Sequence, residues 1–417
     1  MKHLNRWVYA IIGVIVLLMA GLIYAWSVMS KPIAASRPEW TTAQLSLTFT
    51  IVMAFFCLGS LVAGILSKKV NPKIYVLLAG IFMFFGFFIA SFTGDSRAML
   101  YIGFGVLCGF GAGLAYNAVM GTICAWFPDK QGLISGILLM GFGLSSFIIG
   151  KVYTAMTPTD GTDNWQNTFK IFAVIILVVL VICCFFFVKP GKDFAPPAPK
   201  RKKTVREPAC DVNTITMLKT RSFWLTYVWA IMVSAAGLAL VGQASGIATE
   251  VGTTASDGTI ATVVGMISIM NGIGRVIYGA MFDKVGYKLT MIVDMASFII
   301  ASLLLIAALT SGSFFLIIVG FLVGGFAYGG VTPMQSAIVS DFYGRTYYSV
   351  NFSVIVTNLL IGSFASTIAG KLYDMSQSYM STIYMMIIVT VVSFIAFLGI
   401  RRPDPEKMKE KEAKAKK

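Results

Sequence analysis

Residues 113–132 read GLAYNAVMGTICAWFPDKQG, and residues 325–344 read GFAYGGVTPMQSAIVSDFYG. The second stretch repeats the first 212 positions later, pairing Gly113 with Gly325, Tyr116 with Tyr328, Asp129 with Asp341 and Gly132 with Gly344. A repeat at half the chain length points to two like halves rather than a string of unlike domains. The 417 residues around it are 57% hydrophobic and 12% charged, against roughly 25% charged in ordinary globular proteins. The two halves are therefore expected to lie in a bilayer.

Twelve apolar stretches, from 7–30 to 380–400, are each long enough for a helix to cross a hydrocarbon core about 30 Å thick. They are too long and too uniformly apolar for barrel strands. The first is followed by eleven more and reads as a retained helix rather than a removable leader. The long hydrophilic stretch at 189–222, rich in Pro and charge, reads as a cytoplasmic linker. The expected fold class is an all-α membrane protein of twelve transmembrane helices in two pseudo-symmetric bundles. These are a six-helix bundle over 1–188 and another over 223–400, with a tail at 401–417. With both termini cytoplasmic, 26 of the 33 Lys and Arg fall on the inner side, six on the outer, and Arg275 on neither. That asymmetry sets the orientation of a multi-pass protein, expected in the plasma membrane.

The same distribution accounts for the net charge of +15. KRKK at 200–203 and KEKEAKAKK at 409–417 are topogenic charge with some attraction for anionic lipid, so nucleic acid is not expected as a partner. The six cysteines lack metal-ligand spacing and read as small apolar fillers, and the single histidine, His3, sits in the N-terminal tail. No segment offers a nucleophile with a base, paired carboxylates or a metal cluster, so neither an enzyme, a cofactor nor a metal is expected. The glycines of 103–113 and 324–330 read as sites of close helix approach. A phosphate loop would need a preceding strand and a following Lys-Ser.

A second match, GILSKKVNPK (64–73) with GAMFDKVGYK (279–288), runs at an offset of 215 from Gly59 and Gly274 onward. Gly279, Asp283, Lys284, Gly286 and Lys288 resemble the loop signature of the major facilitator superfamily, and Lys68 departs from it where the first copy should be acidic. NRW (5–7), GLIYAW (21–26), WFPDKQGLISG (126–136), RSFW (221–224) and NGIGR (271–275) resemble the oxalate/formate antiporter family of that superfamily, which includes lactate-type monocarboxylate carriers. The resemblance implies a carrier built from two parallel six-helix repeats around a cavity open to alternate sides.

Arg275 lies eight residues before Asp283, which at about 1.5 Å per residue puts it roughly 12 Å deep, near the midplane. A charge there costs at least about 2.5–3.5 kcal/mol and normally faces a bundle interior or a wet cavity. Ser268, Asn271, Arg275 and Tyr278 form one polar stripe at helical spacing. A guanidinium offers a planar fork that holds a carboxylate bidentately, and the resemblance implies that role for Arg275. The other reading is a pair with a buried acid. Asp294, six residues from Lys288, is expected to snorkel or to pair with a loop, and a pair with Arg275 stays open. The position matching Arg275 in the first half is Ser60. Oxalate-preferring members of the family carry a lysine in the eleventh apolar stretch, 350–373 here, where this chain has Asn358 and Leu359. A site with one cation suits a monovalent anion, so the expected function is secondary transport of a monocarboxylate such as lactate, pyruvate or formate. The alternatives are oxalate/formate exchange and, from another class, a membrane sensor of the same ligands.

Tyr24, Tyr116, Asn117, Gln243 and Tyr328 lie at mid-segment depth and, with Asn271 and Asn358, complete the expected substrate site. The resemblance implies that Asp129 with Lys130, Asp283 with Lys284, and Asp341 with Arg345 form cytoplasmic gates. The expected partners are a small carboxylate, a proton as candidate co-substrate, and the bilayer. The expected state is a monomer.

Overall fold

A computed structural model describes residues 5–40, 42–157, 161–191, 208–252, 255 and 257–406. His3, the KRKK cluster and the end of the tail lie outside the described residues. Twelve helices are long and apolar enough to cross a membrane: α1 Arg6–Ala25, α2 Leu47–Leu66, α3 Pro72–Ala90, α4 Ala98–Trp126, α5 Gln131–Met156, α6 Asn164–Cys184, α7 Arg221–Val251, α8 Thr262–Val285, α9 Tyr287–Ser311, α10 Phe314–Tyr343, α11 Tyr348–Ser376 and α12 Met380–Leu398. The expected all-α architecture of twelve crossings is what forms, with no strand among the described residues.

Local chemistry marks the helix ends. Asn71 accepts from Lys73 N at 3.0 Å with Pro72 in the first turn of α3, and Thr220 caps α7 through Phe223 N at 3.2 Å, as short polar side chains do at helix starts. Gly286, at φ 80°, turns α8 into α9 in a single residue, a left-handed conformation that favours glycine. Beyond α1 the chain continues as a helix over Trp26–Ser36, and α11 is interrupted at Thr357, between Tyr348–Val356 and Asn358–Ser376. Exposed stripes are apolar: Ile269, Ile273 and Ile277 on α8, and Ile388, Val391, Ile395 and Leu398 on α12. Ladders of this kind at helical spacing face hydrocarbon.

Contacts divide the chain into two units. The first is Met1–Pro128, Gly141–Lys202 and Phe352–Val356; the second is Asp129–Met140, Lys203–Asn351 and Thr357–Lys417. The start of α5 thus groups with the later helices and five residues of α11 with the earlier ones.

Packing inside each unit corrects the register of the opening repeat. A Cβ on Gly59 would collide with the Phe110 carbonyl, and one on Gly274 with the Phe326 carbonyl. Gly109 sits on Val52 as Gly325 sits on Ile267, and Gly113 on Phe56 as Gly329 sits on Asn271. Helices α2 and α8 therefore match at 215, as expected, but α4 and α10 match at 216 and not at 212. The sequence match was one helical turn out. Glycines spaced by four present the same face after such a slip, so sequence similarity survives it. In the corrected register Tyr116 corresponds to Thr332, Tyr328 to Ala112, and Asp129 to Arg345. Gly132 lies inside α5, whereas Gly344 ends α10 at φ 87°. The tyrosines are not symmetry mates; they occupy the same helix face about 6 Å apart in depth.

Candidate functional site

Arg275 stands mid-way along α8, half-buried, on the stripe expected of it, with Asn271 and Tyr278 both buried. Its Nε donates to Asn271 Oδ1 at 2.9 Å and its Nη1 to the Leu139 carbonyl of α5 at 2.6 Å. These bonds fix the plane of the guanidinium from two sides. No carboxylate among the described residues pairs with Arg275. Asp294 does not pair with it, nor does it snorkel: it is fully buried on α9, and neither of its oxygens has a hydrogen-bond partner among the described residues. Tyr328 of α10 lies within electrostatic reach of Arg275. Its ring occupies the space that a side chain at Gly237 of α7 would fill.

The other polar residues expected at the site bond elsewhere. Gln243 donates through Nε2 to the Ser366 carbonyl of α11 at 3.1 Å. Ser234 of α7 donates to Asn358 Oδ1 at 3.0 Å, and Asn358 Nδ2 donates to Gln335 Oε1 of α10 at 3.1 Å; all three residues are fully buried. In the first unit the structure gathers aromatic rings. Tyr24 meets Phe49 and Phe142 at 5.9 and 5.2 Å between centroids. Tyr116 meets Phe56, Phe142 and Phe352 at 5.1, 5.4 and 5.8 Å. Asn117 is buried beside them in sequence. A cleft of about 660 Å³ in this unit, lined by residues including Arg37, Trp40, Asp95 and Arg97, contains none of the expected site residues.

The residues expected to gate are bonded in a different pattern. Asp283 accepts from Gly132 N and Leu133 N, both at 2.8 Å. It thereby caps α5 from another helix, where an anion is favoured by the helix dipole. Below that cap α5 and α8 cross backbone to backbone: side chains on Gly132 or Gly136 would strike the Gly279 and Arg275 carbonyls. Asp341 pairs with Arg402 of the tail at 2.9 Å. Asp129, Asp211 and Asp341 all stand within electrostatic reach of Arg345, while Lys130 and Lys284 are exposed.

A sequence profile of the Major Facilitator Superfamily matches residues 11–366 and 229–417. The chain belongs to the major facilitator superfamily. It is a multi-pass membrane transporter rather than an enzyme. The oxalate:formate antiporter of Oxalobacter formigenes is 26% identical over 398 residues, covering 94% of this chain and 90% of that protein. Monocarboxylate transporter 13 of Rattus norvegicus is 29% identical over 136 residues, 33% of this chain and 31% of that one. The solved structure of the proton:xylose symporter XylE bound to 6-bromo-6-deoxy-D-glucose superimposes with a TM-score of 0.72 at 15% identity, covering 96% of this chain and 98% of that one, a likeness of fold.

Within this superfamily fold, sequence reasoning missed four contributors. The Leu139 carbonyl is backbone, invisible to residue type. Ser234 and Gln335 complete the Asn358 chain, and a glutamine two residues after Pro333 deep in α10 was a usable signal. Asp211, in the linker, accepts from Thr346 N at 3.0 Å and from its hydroxyl. A polar linker gives no hint of which carboxylate will dock.

Proposed function

We propose that the protein is an alternating-access carrier of small monocarboxylates of the lactate, pyruvate or formate type, in which Arg275 binds the carboxylate. The observation that carries this reading is Arg275 itself: a guanidinium mid-way along a membrane helix, oriented by Asn271 and a backbone carbonyl, with no carboxylate partner among the described residues. A half-buried cation held in place by neutral groups suits an anion that arrives from solution, because the pair it forms is neutral and bidentate. Tyr328 stands within electrostatic reach of Arg275. The position that matches Arg275 is Ser60, and Asn358 is committed to Ser234 and Gln335, so one cation meets one negative charge.

Oxalate/formate exchange is the second reading, favoured by the likeness to the Oxalobacter formigenes antiporter over nearly the whole chain. Asp283 and the Asp341–Arg402 pair serve as cytoplasmic latches in a plasma-membrane protein with both termini on the cytoplasmic side. Competition against labelled lactate by lactate, formate and oxalate, on wild type and Arg275→Lys, tests the reading. Monocarboxylates are expected to compete best and the variant to bind weakly; oxalate binding far more tightly than lactate would overturn the one-cation argument. Flux into proteoliposomes distinguishes a carrier from a sensor, which binds without transport.

A further inference from the structure

The substrate reading leaves one buried acid unused. Asp294 is fully buried on α9, and neither oxygen has a hydrogen-bond partner among the described residues. A Cβ on Gly330 of α10 would stand 2.5 Å from Asp294 Oδ1 and 2.8 Å from the Tyr278 ring. The carboxyl and the ring therefore share the space that glycine leaves open. Ser297 Oγ donates to the Val293 carbonyl at 2.8 Å, so the 2.9 Å contact between Tyr278 and Ser297 uses the phenol as donor. Tyr278 thus spends its proton on Ser297, one turn from Asp294, and not on the carboxylate.

The first unit shows that this spot can be packed without polar groups. Registers of 215 and 216 match Tyr278, Asp294 and Gly330 to Ala63, Ala79 and Leu114, all buried. The second unit exchanges a leucine for a glycine and fills the volume with a phenol and a carboxyl. An ionised carboxylate in such a place, without partners, carries a penalty of several kcal/mol, which the neutral acid avoids. The helices packed against α9 are α7, α8, α10 and α12. Their titratable and charged groups are Arg221, Tyr227 and Glu250 on α7, Arg275, Tyr278, Asp283 and Lys284 on α8, Tyr328, Asp341 and Tyr343 on α10, and Tyr384 on α12; α9 itself adds Tyr287 and Lys288. Tyr278, a neutral group, lies within electrostatic reach of Asp294, and no cation pairs with Asp294 among the described residues.

We propose that Asp294 is a proton-binding site, a neutral carboxylic acid while α8, α9 and α10 are closed around it, and that it couples proton movement to transport. A carboxylate exposed by opening of this contact takes one proton from water, and the reverse opening returns it to the other side. One proton and one monocarboxylate cross together, so no net charge moves. The coupling rests on the carrier reading; the protonation does not.

Wild type and Asp294→Asn, an isostere of the neutral acid, reconstituted in proteoliposomes provide the test. Exchange of labelled against internal lactate needs no net proton movement and is expected to persist in the variant, while accumulation driven by an acid exterior is lost. Accumulation equal to wild type overturns the proposal, as does loss of exchange together with accumulation. If wild type itself exchanges no monocarboxylate, it is the carrier reading that fails. Infrared spectroscopy of the purified protein near neutral pH then still decides on protonation. A protonated-carboxyl band present in wild type and absent from Asp294→Asn upholds it, and identical spectra overturn it.

Discussion

The two units repeat each other's backbone and differ in what that backbone carries. A Cβ on Gly113 would strike the Phe56 carbonyl and stand 2.7 Å from Ser60 N; one on Gly329 would strike the Asn271 carbonyl and stand 2.9 Å from Arg275 N. The contacts are the same, but in one unit the adjoining side chain is a fully buried serine and in the other an arginine. Ala63, Ala79 and Leu114 stand against Tyr278, Asp294 and Gly330, and Lys68 against Asp283. At the far helix ends, Arg37 meets Asp163 in the first unit, while in the second Glu250 accepts from Tyr379 N at 2.9 Å and from Ser378 at 3.0 Å. An ion pair in one unit is replaced in the other by a carboxylate on neutral donors. Duplication therefore preserved the parts where helices touch through backbone, and the ionisable chemistry of the membrane interior collected in one copy.

The comparison is most sharply tested at its most unequal pair. Arg275→Lys keeps the charge but loses the fork, and is expected to weaken monocarboxylate binding by about 1.5–3 kcal/mol, roughly 10- to 100-fold. Ser60→Ala should leave binding unchanged in the same competition assay. Equal losses would mean that the units share the ligand evenly. Next come the matched glycines. Gly113→Ala and Gly329→Ala each press a methyl into backbone and should cost about 1–3 kcal/mol of stability, read as thermal unfolding in detergent. Affinity should fall in Gly329→Ala alone, because that methyl displaces Arg275.

A smaller contrast separates Tyr116 from Tyr328. Tyr328→Phe removes a hydroxyl within electrostatic reach of Arg275 and should weaken binding by about 0.5–1.5 kcal/mol, whereas Tyr116→Phe should change it less. The reverse order would restore the symmetric reading. The smallest effect belongs to the Arg37–Asp163 pair, whose carboxylate is 45% exposed. Arg37 holds the Asp163 carboxyl below the usual carboxylate range, so its contribution is present above about pH 4 and lost as pH falls through the lowered folded value. Asp163→Asn should cost less than about 1 kcal/mol at neutral pH, a difference from wild type that vanishes in acid.

How much of this was legible before folding differs from residue to residue. The crossings and the Arg275 stripe are one-dimensional signals, of length, hydropathy and helical spacing, and they read directly. The register of α10 did not, because a four-residue slip returns every glycine to the same face. Asp294 could be assigned a depth but not a direction around its helix axis, and direction separates a snorkelling acid from a sealed one. Asp283 was legible as a motif residue, but its targets, two backbone N–H groups of α5, have no letter in the sequence. The same holds for the carbonyl that orients Arg275.

The bare crossing of α5 over α8 has a kinetic meaning. A joint made of peptide backbone has no interlocking side chains, and hence no rotamer barriers to motion along it. Its resistance to parting is concentrated in the two bonds that Asp283 accepts and the one that Arg275 donates to the Leu139 carbonyl. It behaves as a low-friction bearing with a detent at each of two points: altering Asp283 should change how long the joint stays shut far more than the shape it has when shut.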